Sequence, residues 1–202
     1  MKQAAGNAES TETTEIERLL RAGDRIGAIV LLVREHGISL TDAKARALQL
    51  AHELGVDEIP PNNVRAAPDS ISLRWTATMS DSQRLWNWSY VRAAVDFRFE
   101  LDVNGTVTPG VSERRAVSIY ALAASLERDG AYEIFLRTPP SKSPELEHPV
   151  EVIHIDGRVL WRRDAEVRTF DEHRYRRQVS DVLQGLADLH TQYPDHVFSD
   201  VY

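Results

Sequence analysis

Two hundred and two residues, 42% hydrophobic and 27% charged, can bury a core of ordinary domain size and are too apolar for a disordered chain. There is no cysteine, which excludes both a disulfide framework and a thiolate metal site. The net charge is −7, and no apolar run approaches the roughly 18 residues of a membrane span, so neither general nucleic-acid binding nor membrane insertion is expected.

Residues 1–13 are polar and lack the apolar centre of a secretory signal, so they read as a flexible lead-in, and the cytoplasm is the expected compartment. Thr14 followed by Glu17 fits a capping box, with Ile16, Leu19 and Leu20 forming one apolar side of a short helix. Gly23 suits the position just past its end, and Asp24 can cap the next helix at once. Ile26, Ile29, Val30 and Val33 then recur at i, i+3, i+4 and i+7; Leu31 and Leu32 widen that face toward a helix covered on more than one side. Gly37 ends this helix and is expected at positive φ. Ser39 and Asp42 open another helix, whose stripe runs through Leu40, Ala43, Ala47, Leu50, Ala51 and Leu54 to Gly55. Residues 14–55 therefore read as a helical hairpin module.

Residues 56–70 hold Pro60, Pro61, Asn62, Asn63 and Pro68, a linker composition. Beyond it, in residues 71–202, the period changes from 3.6 to 2. Ile71, Leu73 and Trp75 alternate with polar neighbours, as do Val95, Phe97, Phe99, Leu101 and Val103. Phe97, Phe99 and Leu101 are expected to be buried, with Arg98 and Glu100 exposed. Asn104-Gly105 and Asp156-Gly157 are two-residue hairpin signals. Residues 117–122, 131–137, 150–155 and 159–163 are further strand candidates, and 138–149 form a proline-rich loop. From Asp171 a last helix carries Tyr175, Val179, Val182, Leu183, Leu186 and Leu189 on one side, until Pro194 stops it. The fold class is α+β: an N-terminal helical hairpin, an antiparallel sheet of about five to seven strands, and a long C-terminal helix packed on it.

The turn Gly37-Ile38-Ser39-Leu40-Thr41-Asp42-Ala43-Lys44, after a helix ending in Val33-Arg34-Glu35, resembles the helix-turn-helix of the ribosomal stalk protein's C-terminal domain. A similar glycine-to-Asp-Ala-Lys pattern occurs in the elongation factor Ts family. The likeness covers about 30 residues, 24–55. It implies a tight helical corner, a contact role for Lys44, and a translation-associated factor as one reading of function.

Seven histidines are present, and none sits in a metal-binding spacing, so no metal or other cofactor is expected. His36, His52 and His190 fall near helix C-termini, where a cation complements the helix dipole. His154 lies inside a strand, with Glu151 and Ile153 on one side and Val152 and His154 on the other. His173 follows Asp171 and Glu172 at a helix start. Either histidine with nearby arginines could serve a small hydrolase or transferase. No nucleophile elbow, phosphate loop or paired-carboxylate motif accompanies them, so no residue is assigned a catalytic role.

Charge is uneven along the chain. Residues 158–177 hold seven arginines against four acids, and the last 25 residues hold four aspartates and no base. The arginines can hold phosphates or lace a solvated face with ion pairs. Trp86 and Trp88 would share one face of an extended segment, as core or as interface anchors. The expected activity is non-catalytic protein binding, most concretely that of a bacterial immunity-type protein neutralising a basic toxin. Another protein of basic charge is the expected partner, because complementary fields raise association rates. The expected binding residues are Asp96, Glu100 and Asp102 on the wet side of the best strand, with Trp86 and Trp88.

Overall fold

The computed structural model describes residues 14–62, 67–80, 94–104, 106–107, 115–137, 149–194 and 197–200. Of these, residues 76, 78–80, 94–100, 106–107, 115–116, 136–137 and 197–200 are placed by backbone alone. In chain order the elements are α1 (14–21), α2 (Arg25–His36), α3 (Leu40–Glu53), β1 (Ile71–Ser80), β2 (Ala94–Val103), β3 (Thr106–Val107), β4 (Arg115–Val117), α4 (Ile119–Ser125), β5 (Gly130–Tyr132), β6 (Phe135–Arg137), β7 (Val150–Ile155), β8 (Arg158–Arg163), β9 (Glu166–Asp171), α5 (Glu172–Gln192) and β10 (Val197–Asp200). The class is α+β, with the long C-terminal helix packed on a sheet. Among the described residues the strands are shared between a four-stranded sheet ordered β1-β2-β10 with β3 beside β2, a four-stranded sheet ordered β5-β7-β8-β9, and the pair β4-β6. No helix is long and apolar enough to cross a membrane among the described residues.

The chain divides into two compact units. The first comprises Met1–Pro68, Arg128–Ala131 and Glu151–Asp171. Its core joins Ile16, Leu19 and Leu20 of α1 to Ile26, Ile29, Leu32 and Val33 of α2 and to the alanine stripe of α3. Ala43, Ala47 and Ala51 are at most 1% exposed, since a methyl lets another element approach closely. Ala28 is buried as well, so α2 is covered on more than one side, while Val30 and Leu31 are only partly buried. Leu20, Ile26, Ile29 and Leu40 are nearly fully buried, each stabilising the unit by about 1.5–3 kcal/mol in transfer free energy.

The helix ends follow the sequence. Asp24 accepts the Gly27 N–H at 2.8 Å, and Ser39 accepts the Asp42 N–H at 3.0 Å. The Asp42 carboxylate accepts a hydrogen bond from the Ser39 hydroxyl at 2.7 Å, in place of the backbone N–H that a longer Glu side chain would reach. Gly37 adopts φ 63 and donates its N–H to Val33 O at 2.9 Å, the expected left-handed stop.

The β7–β8 hairpin turns on Asp156 (φ 51) and Gly157 (φ 72), as its sequence signal requires. Ile153, Ile155 and Leu160 join the helical core. Val152, Val159, Trp161 and Phe170 are buried too, with Trp161 and Phe170 edge to face at 5.0 Å. The strand β9 has no counterpart among the expected elements. Its turn, at Asp164 (φ 56) and Ala165, lacks the glycine that marks the other hairpins.

The second unit comprises Asp69–Glu127, Tyr132–Val150 and Glu172–Tyr202. β1 and β2 pair antiparallel over ten residues, from Ile71 opposite Val103 to Ser80 opposite Ala94. β10 adds to β2 in parallel, whereas β1–β2, β2–β3, β4–β6, β7–β8 and β8–β9 pair antiparallel. Ile71, Leu73 and Leu101 are buried, while the side chains at 97–100 lie outside those described. Helix α5 packs on β1: Gln178 accepts the Leu73 N–H at 3.1 Å, and a Cβ on Gly185 would lie 2.9 Å from the Trp75 ring. That amide is thereby satisfied on an edge strand.

Two segments differ from expectation. Residues 117–122 were expected as a strand, but of these only Val117 belongs to one. Ser118 caps a helix by accepting the Ala121 N–H at 3.2 Å, so Ile119 and Leu122 are buried at helical spacing. The expected strand 131–137 is broken at 133–134, and its halves join different sheets. Ile134 at the break is fully buried and accepts the Ser118 N–H at 2.8 Å. The proline-rich loop lies outside the described residues, apart from Pro149.

Candidate functional site

An open groove of about 420 Å³ runs along α2 in the first unit. Leu19, Ile26, Val30, Leu31 and Val167 make its apolar surface, and Glu15, Asp24 and Arg34 contribute charged groups. Its form follows from the local chain. The turn after α1 brings Asp24 to the N-cap of α2, and β9 supplies Val167 and Thr169. Val30, on the predicted apolar stripe, is therefore a groove residue rather than a core residue.

Asp24 is the unusual group here. It is only 5% exposed, yet it carries a carboxylate. Its Oδ1 accepts the Gly27 N–H, and Oδ2 accepts no hydrogen bond among the described residues. A Cβ at Gly27 would lie 2.6 Å from Oδ2 and 2.9 Å from Oδ1, so the missing side chain makes room for the carboxylate. Arg18 is a cation in electrostatic contact with it. Hydrogen bonding to Glu15 holds the Arg18 guanidinium above its usual range, with Asp24 adding a smaller push in the same direction. Arg18's own hydrogen bonds go to Glu15, at 2.6 and 2.5 Å.

Six other charged groups of this unit are tied to distant parts of it. Arg25 binds Asp156 at 3.0 Å and reaches the carbonyls of Asp57 and Ile59. Glu151 accepts the Leu40 N–H at 2.7 Å, adding a distant cap to α3. Arg162 donates to Ile38 O and lies 3.5 Å from Glu151. Lys44 donates to Asp129 at 2.6 Å and to His154 O at 2.7 Å, while Asp129 also accepts the His154 N–H at 2.8 Å. The ammonium that the stalk-protein resemblance would offer to a partner is thus held within this unit.

The expected binding residues fall on β2 and its surroundings. Asp96, Glu100 and Asp102 stand opposite Thr78, Arg74 and Ser72 in the β1–β2 register. The side chains of Asp96 and Glu100 lie outside the described ones, and Trp86 and Trp88 lie outside the described residues altogether. Asp102 is less open than a wet face requires. Its side chain is 15% exposed, its Oδ2 is 3.5 Å from Arg74, and its Oδ1 is buried without a hydrogen-bond partner among the described residues. Arg74 beside it is 64% exposed.

His154 is half-buried on β7, and His173 is exposed in the first turn of α5. Among the described residues no three histidines and carboxylates gather at metal-binding distance. The arginine run is laced with acids: Arg158 with Asp171 at 3.2 Å, Arg168 with Glu166 at 2.5 Å, Arg176 with Glu172 at 3.0 Å and Arg177 with Asp181 at 3.8 Å.

Compared with protein-family models, with curated proteins and with solved structures, the chain matches none of them. The groove was missed by sequence reasoning. The Asp24 cap is visible in sequence, but a groove beside it needs β9, which no periodicity announces.

Proposed function

We propose that this chain is a non-catalytic protein-binding protein whose acidic surface meets a basic protein partner, most concretely an immunity-type protein that neutralises a basic toxin. The observation that carries the reading is the fate of the arginine run. Arg158 and Arg162, 16% and 19% exposed, each face a carboxylate of the chain, and the more exposed Arg168, Arg176 and Arg177 each have one within 2.5 to 3.8 Å. A phosphate or nucleic-acid site needs cations turned toward its ligand. What remains is the acid excess behind the net charge of −7. Asp96 and Glu100, opposite Thr78 and Arg74 in the β1–β2 register, are the acids favoured for contact.

The test begins with capture from a lysate and elution by salt, followed by association rates on the purified partner. The rate should fall steeply between about 50 and 500 mM salt, as screening shortens the reach of the field. Asp96→Lys with Glu100→Lys should slow association, while His154→Ala and His173→Ala leave it nearly unchanged. A salt-independent rate, or a turnover activity abolished by either histidine change, would overturn the proposal.

A further inference from the structure

The groove along α2 brings apolar side chains and a nearly buried carboxylate together. Leu19, Ile26, Val30, Leu31 and Val167 give it apolar surface, Glu15 and an Arg34 turned to Glu35 add one charge of each sign, and among them lies the Asp24 carboxylate, only 5% exposed, with one oxygen accepting no hydrogen bond among the described residues. A buried anion is costly unless it is paired or fully hydrogen-bonded. Asp24 receives one hydrogen bond, from Gly27, and the positive end of the α2 dipole. Arg18 contributes its field, but its hydrogen bonds go to Glu15.

We propose that the groove docks an arginine side chain carried on a short apolar segment of a protein partner, with the guanidinium on the free carboxylate oxygen of Asp24. The arginine stem and its apolar neighbours would lie along Val30, Leu31 and Val167. Charge and shape argue for this occupant together. A long side chain with an apolar stem and a cationic head matches an apolar trough with an anion in its lining. A volume of about 420 Å³ holds one such side chain and part of a neighbour. The chain's own first thirteen residues are a poor candidate, because beyond Met1 they offer nothing apolar larger than alanine and contain no arginine. This inference rests on the reading of a basic protein partner and names the surface in the first unit that would receive it.

The experiment uses the full chain and two synthetic peptides, acetyl-Leu-Arg-Leu-amide and the same peptide with citrulline in place of arginine. Citrulline keeps the shape and removes the charge. Amide chemical shifts of Gly27, Val30 and Leu31 should move on addition of the arginine peptide, and the citrulline peptide should bind roughly tenfold more weakly, the worth of one charge-assisted hydrogen bond. Asp24→Asn keeps a good N-cap and removes the charge, so it should stay folded and bind both peptides equally. Equal binding of the two peptides to the unmodified protein, shifts confined to other surfaces, or no shift at millimolar peptide would overturn the proposal. If the peptides fail while salt-dependent capture of a basic protein persists, the groove is wrong and the acidic-surface reading stands. If the groove takes the peptide but capture does not depend on salt, the acidic-surface reading fails alone.

Discussion

The two units use polar side chains in different ways. In the first, charged groups reach across long sequence distances into other elements: Arg25 to Asp156, Lys44 to Asp129, Glu151 to the Leu40 amide. In the second, two of the arginine pairs lie within one helix at i and i+4, on exposed side chains, and a long-range tie is a buried neutral pair between Ser125 and Tyr175 at 2.7 Å. The difference follows from what each unit must hold. The first has short helices whose ends and connecting turns need partners, so ions bridge helix termini and loop carbonyls. The second has a long helix on a sheet, where the hydroxyl pair fixes the register of α4 against α5, with Arg74–Asp102 and the Gln178 contact to the Leu73 amide as further long-range polar ties.

The sharpest way to break the contrast is Arg25→Ala. The change removes an ion pair whose side chains are only 13% and 11% exposed, together with the donor to the carbonyls of Asp57 and Ile59. The Asp156 carboxylate loses its guanidinium partner beside the β7–β8 turn. Losing one member of such a pair costs about 3 kcal/mol, more than the pair's net worth, because the remaining charge stays desolvated. Urea unfolding should show the loss as a lowered midpoint with an unchanged slope. A loss comparable to that of an exposed pair would remove the distinction between the units.

Tyr175→Phe probes the second unit and should cost less. Tyr175 is fully buried, and Ser125 Oγ already donates its only proton to Leu122 O at 2.7 Å. The tyrosine hydroxyl is therefore the donor to Ser125. Replacing it leaves one acceptor lone pair unfilled and no buried charge, a loss of about 1 kcal/mol. A change as large as that of Arg25→Ala would mean that the hydroxyl pair organises more than register. The same unfolding measurement decides between these outcomes.

The comparison also explains what the sequence could and could not say. Local chemistry was legible: Asp24, Ser39 and Gly37 each occupy the cap that their residue type favours, and Asp156-Gly157 forms the turn its dipeptide encodes. The apolar stripes of α2, α3 and α5 were legible for the same reason, since period 3.6 is a property of one element. What was hidden depends on partners. β9 pairs with β8 through a turn without glycine, and its residues Glu166, Val167, Arg168 and Thr169 show no burial contrast strong enough to announce a strand. Ser118 looked like part of a strand because its capping role depends on which way the chain turns afterwards. The groove was invisible because it needs β9 beside α2, whereas Lys44 looked available until Asp129 and His154 supplied its partners.

The smallest expected effect sharpens the contrast inside the first unit, at Asp57. Its carbonyl accepts a hydrogen bond from Arg25, while its carboxylate faces His52 at 3.2 Å on the surface, with side chains 83% and 51% exposed. The hydrogen bond from His52 is the main cause holding the Asp57 carboxyl below its ordinary range, with the backbone N–H groups of Asp57 and Glu58 adding to it. A carboxyl whose folded value is depressed binds fewer protons folded than unfolded. It therefore contributes stability above the usual carboxylate value of about 3.9, and that contribution is lost as pH falls below it. His52→Ala should raise the Asp57 titration midpoint only part of the way, because the backbone donors remain. Carbon-detected titration of the Asp57 carboxyl measures this directly, and an unmoved midpoint would assign the depression to the backbone alone. Stability near neutral pH should barely change, since water and salt screen so exposed a pair. A residue tied inward by its carbonyl and outward by its carboxylate thus separates, within one side of one turn, the contacts that hold the unit from those that only decorate it.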